Sequence, residues 1–83
     1  MKVTVRYFAS IREAIGVSSE LVCTDAPTLA ALRDELIAIG GARADSLARG
    51  RAVRMALNQV MNDESAALVA DAEVAFFPPV TGG

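Results

Sequence analysis

The chain has 83 residues and contains no histidine, no tryptophan and a single cysteine, Cys23. Without histidine, a His-dependent triad or an imidazole general base is excluded. With one cysteine, no disulfide can close within the chain, and a structural zinc site has too few soft ligands. No stretch approaches the roughly 18 consecutive apolar residues that a membrane span needs, and residues 1–20 hold no signal-peptide-like run. A cytoplasmic location is the simplest expectation, with no membrane partner. Charge of one sign is lacking as well: eight Lys and Arg stand against ten Asp and Glu, a net charge of −2. Arg43, Arg49, Arg51 and Arg54 lie close in sequence, but Asp45 interrupts them and no aromatics interleave. Nucleic-acid binding is therefore not expected.

Hydrophobic content is high, while Gly and Pro are ordinary. A chain of this length and composition folds as one small domain with a single core. Residues 2–8 alternate, with Val3, Val5 and Tyr7 on one face and Lys2, Thr4 and Arg6 on the other, the pattern of a half-buried strand. Ser10 and Glu13 have capping-box spacing, and a short helix over residues 10–15 is expected to stop at Gly16. Residues 19–24 read as a second strand with Leu21 and Cys23 on its inner face, which makes Cys23 an inert core thiol.

Thr28 is placed to cap a helix in which Leu29, Leu32, Leu36 and Ile39 recur at spacings of three, four and three. Arg33, Asp34 and Glu35 fall on its outer face, and Gly40-Gly41 ends it. Residues 42–52 read as a loop with a single turn. Strands are expected over 53–57 and 60–61, joined by a tight turn at Asn58-Gln59, and again over 73–77. Residues 62–72 form a connecting loop.

The order is strand, strand, helix, strand, strand, strand. With one main helix, that helix must cover one face of a mixed sheet of about five strands. This predicts an α+β, ubiquitin-like β-grasp domain over residues 1–77, with the first and last strands adjacent and parallel. The other sheet face is left open. Phe8 and Phe77 have the parity of that open face, which makes them candidates for a protein-docking patch.

Residues 78–83 are a separate feature. Pro78 and Pro79 fix φ and lack N–H donors, so neither sheet nor helix continues through them. In polyproline II geometry the six residues reach about 19 Å. Gly82 and Gly83 carry no Cβ, so the backbone can enter a narrow passage, and the Gly83 carbonyl is sterically open. Since the chain lacks other reactive groups, the terminal carboxylate is its one chemical handle.

The segment Glu73-Val-Ala-Phe-Phe-Pro-Pro-Val-Thr-Gly-Gly83, with Val5-Arg-Tyr-Phe-Ala9, Ile11-Arg-Glu13, Pro27-Thr-Leu29 and Ala56-Leu-Asn-Gln59, resembles the small sulfur-carrier subunits of molybdopterin synthase, the MoaD type of the MoaD/ThiS family. One departure is Ala70-Asp71-Ala72, where the family usually has Asp-Gly-Asp. The resemblance implies that no cofactor is bound and that a ubiquitin-activating-type adenylyltransferase uses ATP to adenylate the Gly83 carboxylate. A cysteine desulfurase or rhodanese-like donor then supplies sulfur, giving a C-terminal thiocarboxylate (1-thioglycine).

The resemblance further implies that the tail inserts into the large synthase subunit and donates sulfur to a pyranopterin precursor in molybdenum cofactor biosynthesis. On this reading Gly83 carries the sulfur. Pro78, Pro79, Val80, Thr81 and Gly82 form the inserted tail, and Phe8, Phe77, Tyr7 and Arg12 dock on the partner. Catalysis proper belongs mainly to the large subunit. The competing readings are a sulfur carrier for thiazole synthesis, a ubiquitin-like modifier that forms isopeptide bonds, and a β-grasp interaction module whose tail is irrelevant.

Overall fold

The structure is a computed structural model and describes residues 1–79. The tail positions Val80, Thr81, Gly82 and Gly83 lie outside the described residues. Eight elements follow in chain order: β1 (Lys2–Tyr7), α1 (Ala9–Ile15), β2 (Ser19–Cys23), α2 (Leu29–Ile39), α3 (Gly41–Leu47), β3 (Arg54–Leu57), β4 (Val60–Asn62) and β5 (Glu73–Phe77).

The five strands form one sheet in the order β2-β1-β5-β3-β4. β1 and β5 are parallel and central, with Val5 opposite Val74 and Tyr7 opposite Phe76. β1–β2, β3–β4 and β3–β5 are antiparallel. This is the expected β-grasp topology, with the parallel pair made possible by the long connection between first and last strands. Val3, Val5, Tyr7, Val74, Phe76 and Met55 point from the sheet into a core closed by Leu29, Leu32 and Leu36 of α2, Leu47 of α3 and Ile11 of α1.

Several local expectations are corrected. The N-cap of α1 is Phe8, with no side-chain cap bond, so the Ser10–Glu13 box does not form; Ala9 already belongs to the helix. Gly16 does end it, at φ +92° with its N–H donated to the Arg12 carbonyl.

In β2 the pairing of Val22 with Val3 sets the parity, which turns Leu21 and Cys23 outward, opposite Thr4 and Lys2. Cys23 is thus exposed rather than in the core. Apolar residues sit on both parities of this strand, and the partner strand decides between them.

Thr28 caps α2 as expected, its Oγ1 accepting from the Ala31 N–H. Ile39 is exposed at its far end, whereas Arg33 is buried with only 4% exposure. Arg33 Nε donates to the Leu47 carbonyl at 2.7 Å, and Nη2 donates to the carbonyls of Ala48 and Arg51. Its Nη1 donates to Glu64 Oε1 at 2.5 Å. A guanidinium satisfies these inward-facing loop carbonyls, which no apolar side chain at this position could do.

The stretch expected to be a loop over residues 42–52 contains α3. Gly40 closes α2 and opens α3 at φ +88°, so one residue serves as a break between two helices. With Leu47 its only large apolar residue, α3 has too little periodic signal to be recognised.

Candidate functional site: the open face and the root of the tail

Because β1 and β5 are parallel, their C-terminal ends coincide. The Phe8 N–H donates to the Phe76 carbonyl at 3.1 Å, locking the chain after β1 to β5. Phe8 and Phe77 therefore emerge side by side on the face away from the helices. Their rings meet edge to face, with centroids 6.4 Å apart and planes at 87°. Phe8 is 40% exposed. The Arg6 guanidinium lies over the Phe8 ring, 5.6 Å from its centroid, a cation–π distance.

Next to this pair is a shallow concavity of about 430 Å³ lined by Phe8, Phe77, Ala56, Ala75, Gln59 and Met61, with Glu73 at its edge. Ala56 and Ala75 are cross-strand partners, and their small side chains leave the floor low. Met61, opposite Ala56 on β4, forms the far wall. The β3–β4 turn is built from two residues at positive φ, Asn58 at 49° and Gln59 at 69°, the geometry of a type I′ hairpin. Asn58 fixes that hairpin against β5: its N–H donates to the Glu73 carbonyl, and its Oδ1 accepts from the Glu73 N–H.

The tail root is equally defined. Pro78 and Pro79 follow β5 and are half-buried. Pro78 borders a cleft of about 210 Å³ with Ile11 and Ala14 of α1, Ser46 of α3 and Val53. Both prolines lie outside any strand, in keeping with their missing donors.

Of the four expected docking residues, Phe8 and Phe77 are brought together. Tyr7 is not part of this surface. It has the opposite parity and is 1% exposed, and its ring stacks on Phe76 with centroids 6.3 Å apart. Its hydroxyl donates to Glu20 Oε2 at 2.5 Å, and Arg43 donates two further bonds to the same carboxylate. Burial, then the Glu20 bond, pushes the Tyr7 phenol well above its ordinary range. Arg43, followed by Tyr7, holds the Glu20 carboxyl below its own.

Arg12 is exposed on α1, where its carbonyl accepts from Gly16; the guanidinium at the aromatic pair is that of Arg6. Arg6, Met61 and the Ala56–Ala75 floor escape sequence reading. Their only signal is outward parity, which becomes meaningful once the strand order is known.

In the turn before β5, Asp71 stands at φ +64°, the left-handed position that the departure from Asp-Gly-Asp leaves to a residue with a side chain. Its N–H donates to the Lys2 carbonyl at 2.8 Å, so the turn is still tied to β1.

Among the described residues, no helix is long and apolar enough to cross a membrane. The chain is 40% identical over 81 residues to the molybdopterin synthase sulfur carrier subunit of Escherichia coli, an alignment covering 98% of this chain and 99% of that one. It superposes on the crystal structure of SAMP1 from Haloferax volcanii with a TM-score of 0.77 at 22% identity, covering all of both chains. It also superposes on a chain of the complex of subunits 1 and 2 of molybdopterin-converting factor from Helicobacter pylori, with a TM-score of 0.70 at 26% identity and full coverage of both chains. The ThiS family matches residues 5–83, that is, nearly all of the chain including its final glycines, and the chain belongs to this family.

Proposed function

We propose that this protein is the sulfur carrier of molybdopterin synthase. The observation that carries the reading is the coupling of two features at one end of the sheet. β5, a central strand, ends at Phe77 within the aromatic surface, and Pro78-Pro79 leads from it toward Gly82-Gly83. The likeness to the E. coli carrier subunit over nearly the whole chain supports the same reading.

In this account the β-grasp body binds and orients, and Gly83 reacts. A terminal carboxyl has a pKa of about 3.5, so at neutral pH it is an anion and a poor electrophile. Adenylation by a ubiquitin-activating-type partner, with ATP consumed and pyrophosphate released, turns it into an acyl donor with AMP as leaving group. Sulfur arriving as a persulfide, from a cysteine desulfurase or rhodanese-like protein, displaces AMP. A second cysteine thiol, on the donor or the activating partner, attacks the acyl disulfide and is oxidised to a disulfide as the S–S bond breaks, which leaves the thiocarboxylate, anionic and nucleophilic. The aromatic surface then docks on the large synthase subunit, the tail enters that subunit's site, and sulfur passes to the pterin precursor. The complex of subunits 1 and 2 in H. pylori supports a partner of this type.

The test is genetic. In a strain lacking the native carrier, the intact chain restores molybdoenzyme activity. Deletion of Gly83, or a tag fused after it, abolishes the rescue, while an N-terminal tag preserves it. Rescue by the Gly83 deletion contradicts the proposal.

A further inference from the structure

The charge on the open face runs against the charge of the chain. The whole sequence carries −2. By strand parity, however, the open face displays Lys2, Arg6 and Arg54, with Glu73 as the acidic residue of its central strand. All three cations are exposed. The two arginines lie on opposite sides of the aromatic pair. Arg6 stacks over Phe8 at 5.6 Å on the β1 side. Arg54 is the cross-strand neighbour of Phe77 on the β3 side.

Glu73 only partly offsets them. It reaches Arg6 at 3.6 Å, and both side chains remain solvent-accessible. Arg54 makes no ion pair among the described residues.

Resting on the carrier reading above, we propose that Arg6 and Arg54 are specificity residues of the docking surface. Their partner is a protein surface in which an apolar projection, seated between Phe8, Phe77 and Met61, is bordered by carboxylates on both flanks. The physical case has three parts. A guanidinium held over an aromatic ring has less freedom to lose on pairing, and its planar fork remains available to a carboxylate. Charges at the edge of an apolar contact act mainly on the rate of encounter and on rejection of wrong partners. A carrier handed between an activating enzyme and a synthase must associate and release quickly, which favours steering by charge over a larger apolar contact. Nucleic acid is disfavoured as occupant, since the chain is acidic overall and its basic residues here flank a closed edge-to-face pair instead of an open stacking surface.

The experiment measures association of this chain with the large synthase subunit of the same organism, by stopped-flow and calorimetry, between about 0.05 and 0.5 M salt. Wild type, Phe8→Ala, Arg6→Glu, Arg54→Glu and the double charge reversal are compared, with Ile39→Glu, at the exposed end of α2, as a charge control away from this face and from the tail root. The proposal expects the wild-type on-rate to fall with salt. The double reversal lowers it about tenfold or more at low salt and flattens the salt dependence, while loss of the exposed Arg6–Glu73 pair lowers the melting temperature only slightly, leaving the variant folded at the assay temperature. Ile39→Glu behaves nearly as wild type. If the reversals bind with wild-type rates and salt slope while Phe8→Ala loses binding, the charge proposal is overturned and the carrier reading stands. If wild type fails to bind the large subunit at all, the carrier reading falls and this proposal with it.

Discussion

Phe8 and Phe77 are 69 positions apart in the chain, yet they meet edge to face at 6.4 Å on the one sheet face that no helix covers. The parallel pairing of β1 with β5 creates this contact, and it lies where β5 gives way to Pro78. An aromatic pair left half-exposed by a domain that buries Tyr7 and Phe76 so fully has a use outside the domain.

Phe8→Ala is expected to weaken binding to the large subunit by about 1–3 kcal/mol, as loss of an aromatic anchor does. The domain's own stability falls by less than about 1 kcal/mol, because the ring is 40% exposed in the free protein. Calorimetry of binding and urea unfolding of the variant separate the two effects.

Arg33→Ala is expected to destabilise the fold by about 3 kcal/mol or more. The substitution strands the carbonyls of Leu47, Ala48 and Arg51 and removes one of the two arginines bound to Glu64. The midpoint of urea unfolding checks this. Arg49→Ala, at the exposed end of the same network, shifts it far less.

Stability is expected to fall below about pH 4.5 and above about pH 10. Glu20 is held below the ordinary carboxylate range by Arg43 first, with Tyr7 assisting. At Glu64 burial pushes upward, but the bonds from Arg33 and Arg49 outweigh it. A carboxylate with a depressed folded pKa stabilises above its unfolded value, near 4.3, and that contribution is lost as pH falls through the folded value. Tyr7 has the opposite sense. Its phenol is raised by burial, so the neutral form supports the fold below about pH 10 and the support is lost above it. Unfolding midpoints across pH check both limbs, and Arg43→Gln lowers neutral-pH stability while making the acid limb shallower.

Ala9 and Asp71 both occupy the left-handed region, at φ +51° and +64°. Ala9→Gly is expected to stabilise by about 0.5–1 kcal/mol, since the Cβ penalty there exceeds the entropy glycine costs. Asp71→Gly changes stability by less, because Asp tolerates this conformation better than Ala. Thermal unfolding of the two single variants distinguishes them.

How much of this could be read from residues alone varied by element. β1, α2 and β5 carry strong periodic patterns, and their bounds fell within a residue or two of expectation. The β-grasp order followed, and with it the meeting of Phe8 and Phe77. The inner face of β2 is not legible in the sequence because Glu20 occupies an inward position, where its carboxylate is satisfied by Tyr7 and Arg43. The burial of Arg33 is hidden for the same reason: a buried charge is acceptable once its partners are assembled, and those partners lie 14 to 31 residues away. Tyr7 has a docking role only through the resemblance; its own parity, shared with Val3 and Val5, puts it on the inner face, where it is buried. α3 leaves little trace in the sequence because its packing comes from Leu47 and small residues, with Gly40 as the break from α2.

Whether Gly83 carries the sulfur is decided by intact-mass spectrometry. The purified protein is incubated with ATP, its activating enzyme and a persulfide donor, then digested and mapped. The expected result is the mass gain of one oxygen replaced by sulfur, confined to the C-terminal peptide and absent without ATP. An unchanged C-terminal peptide, with the activating enzyme shown to be competent on another carrier, contradicts it.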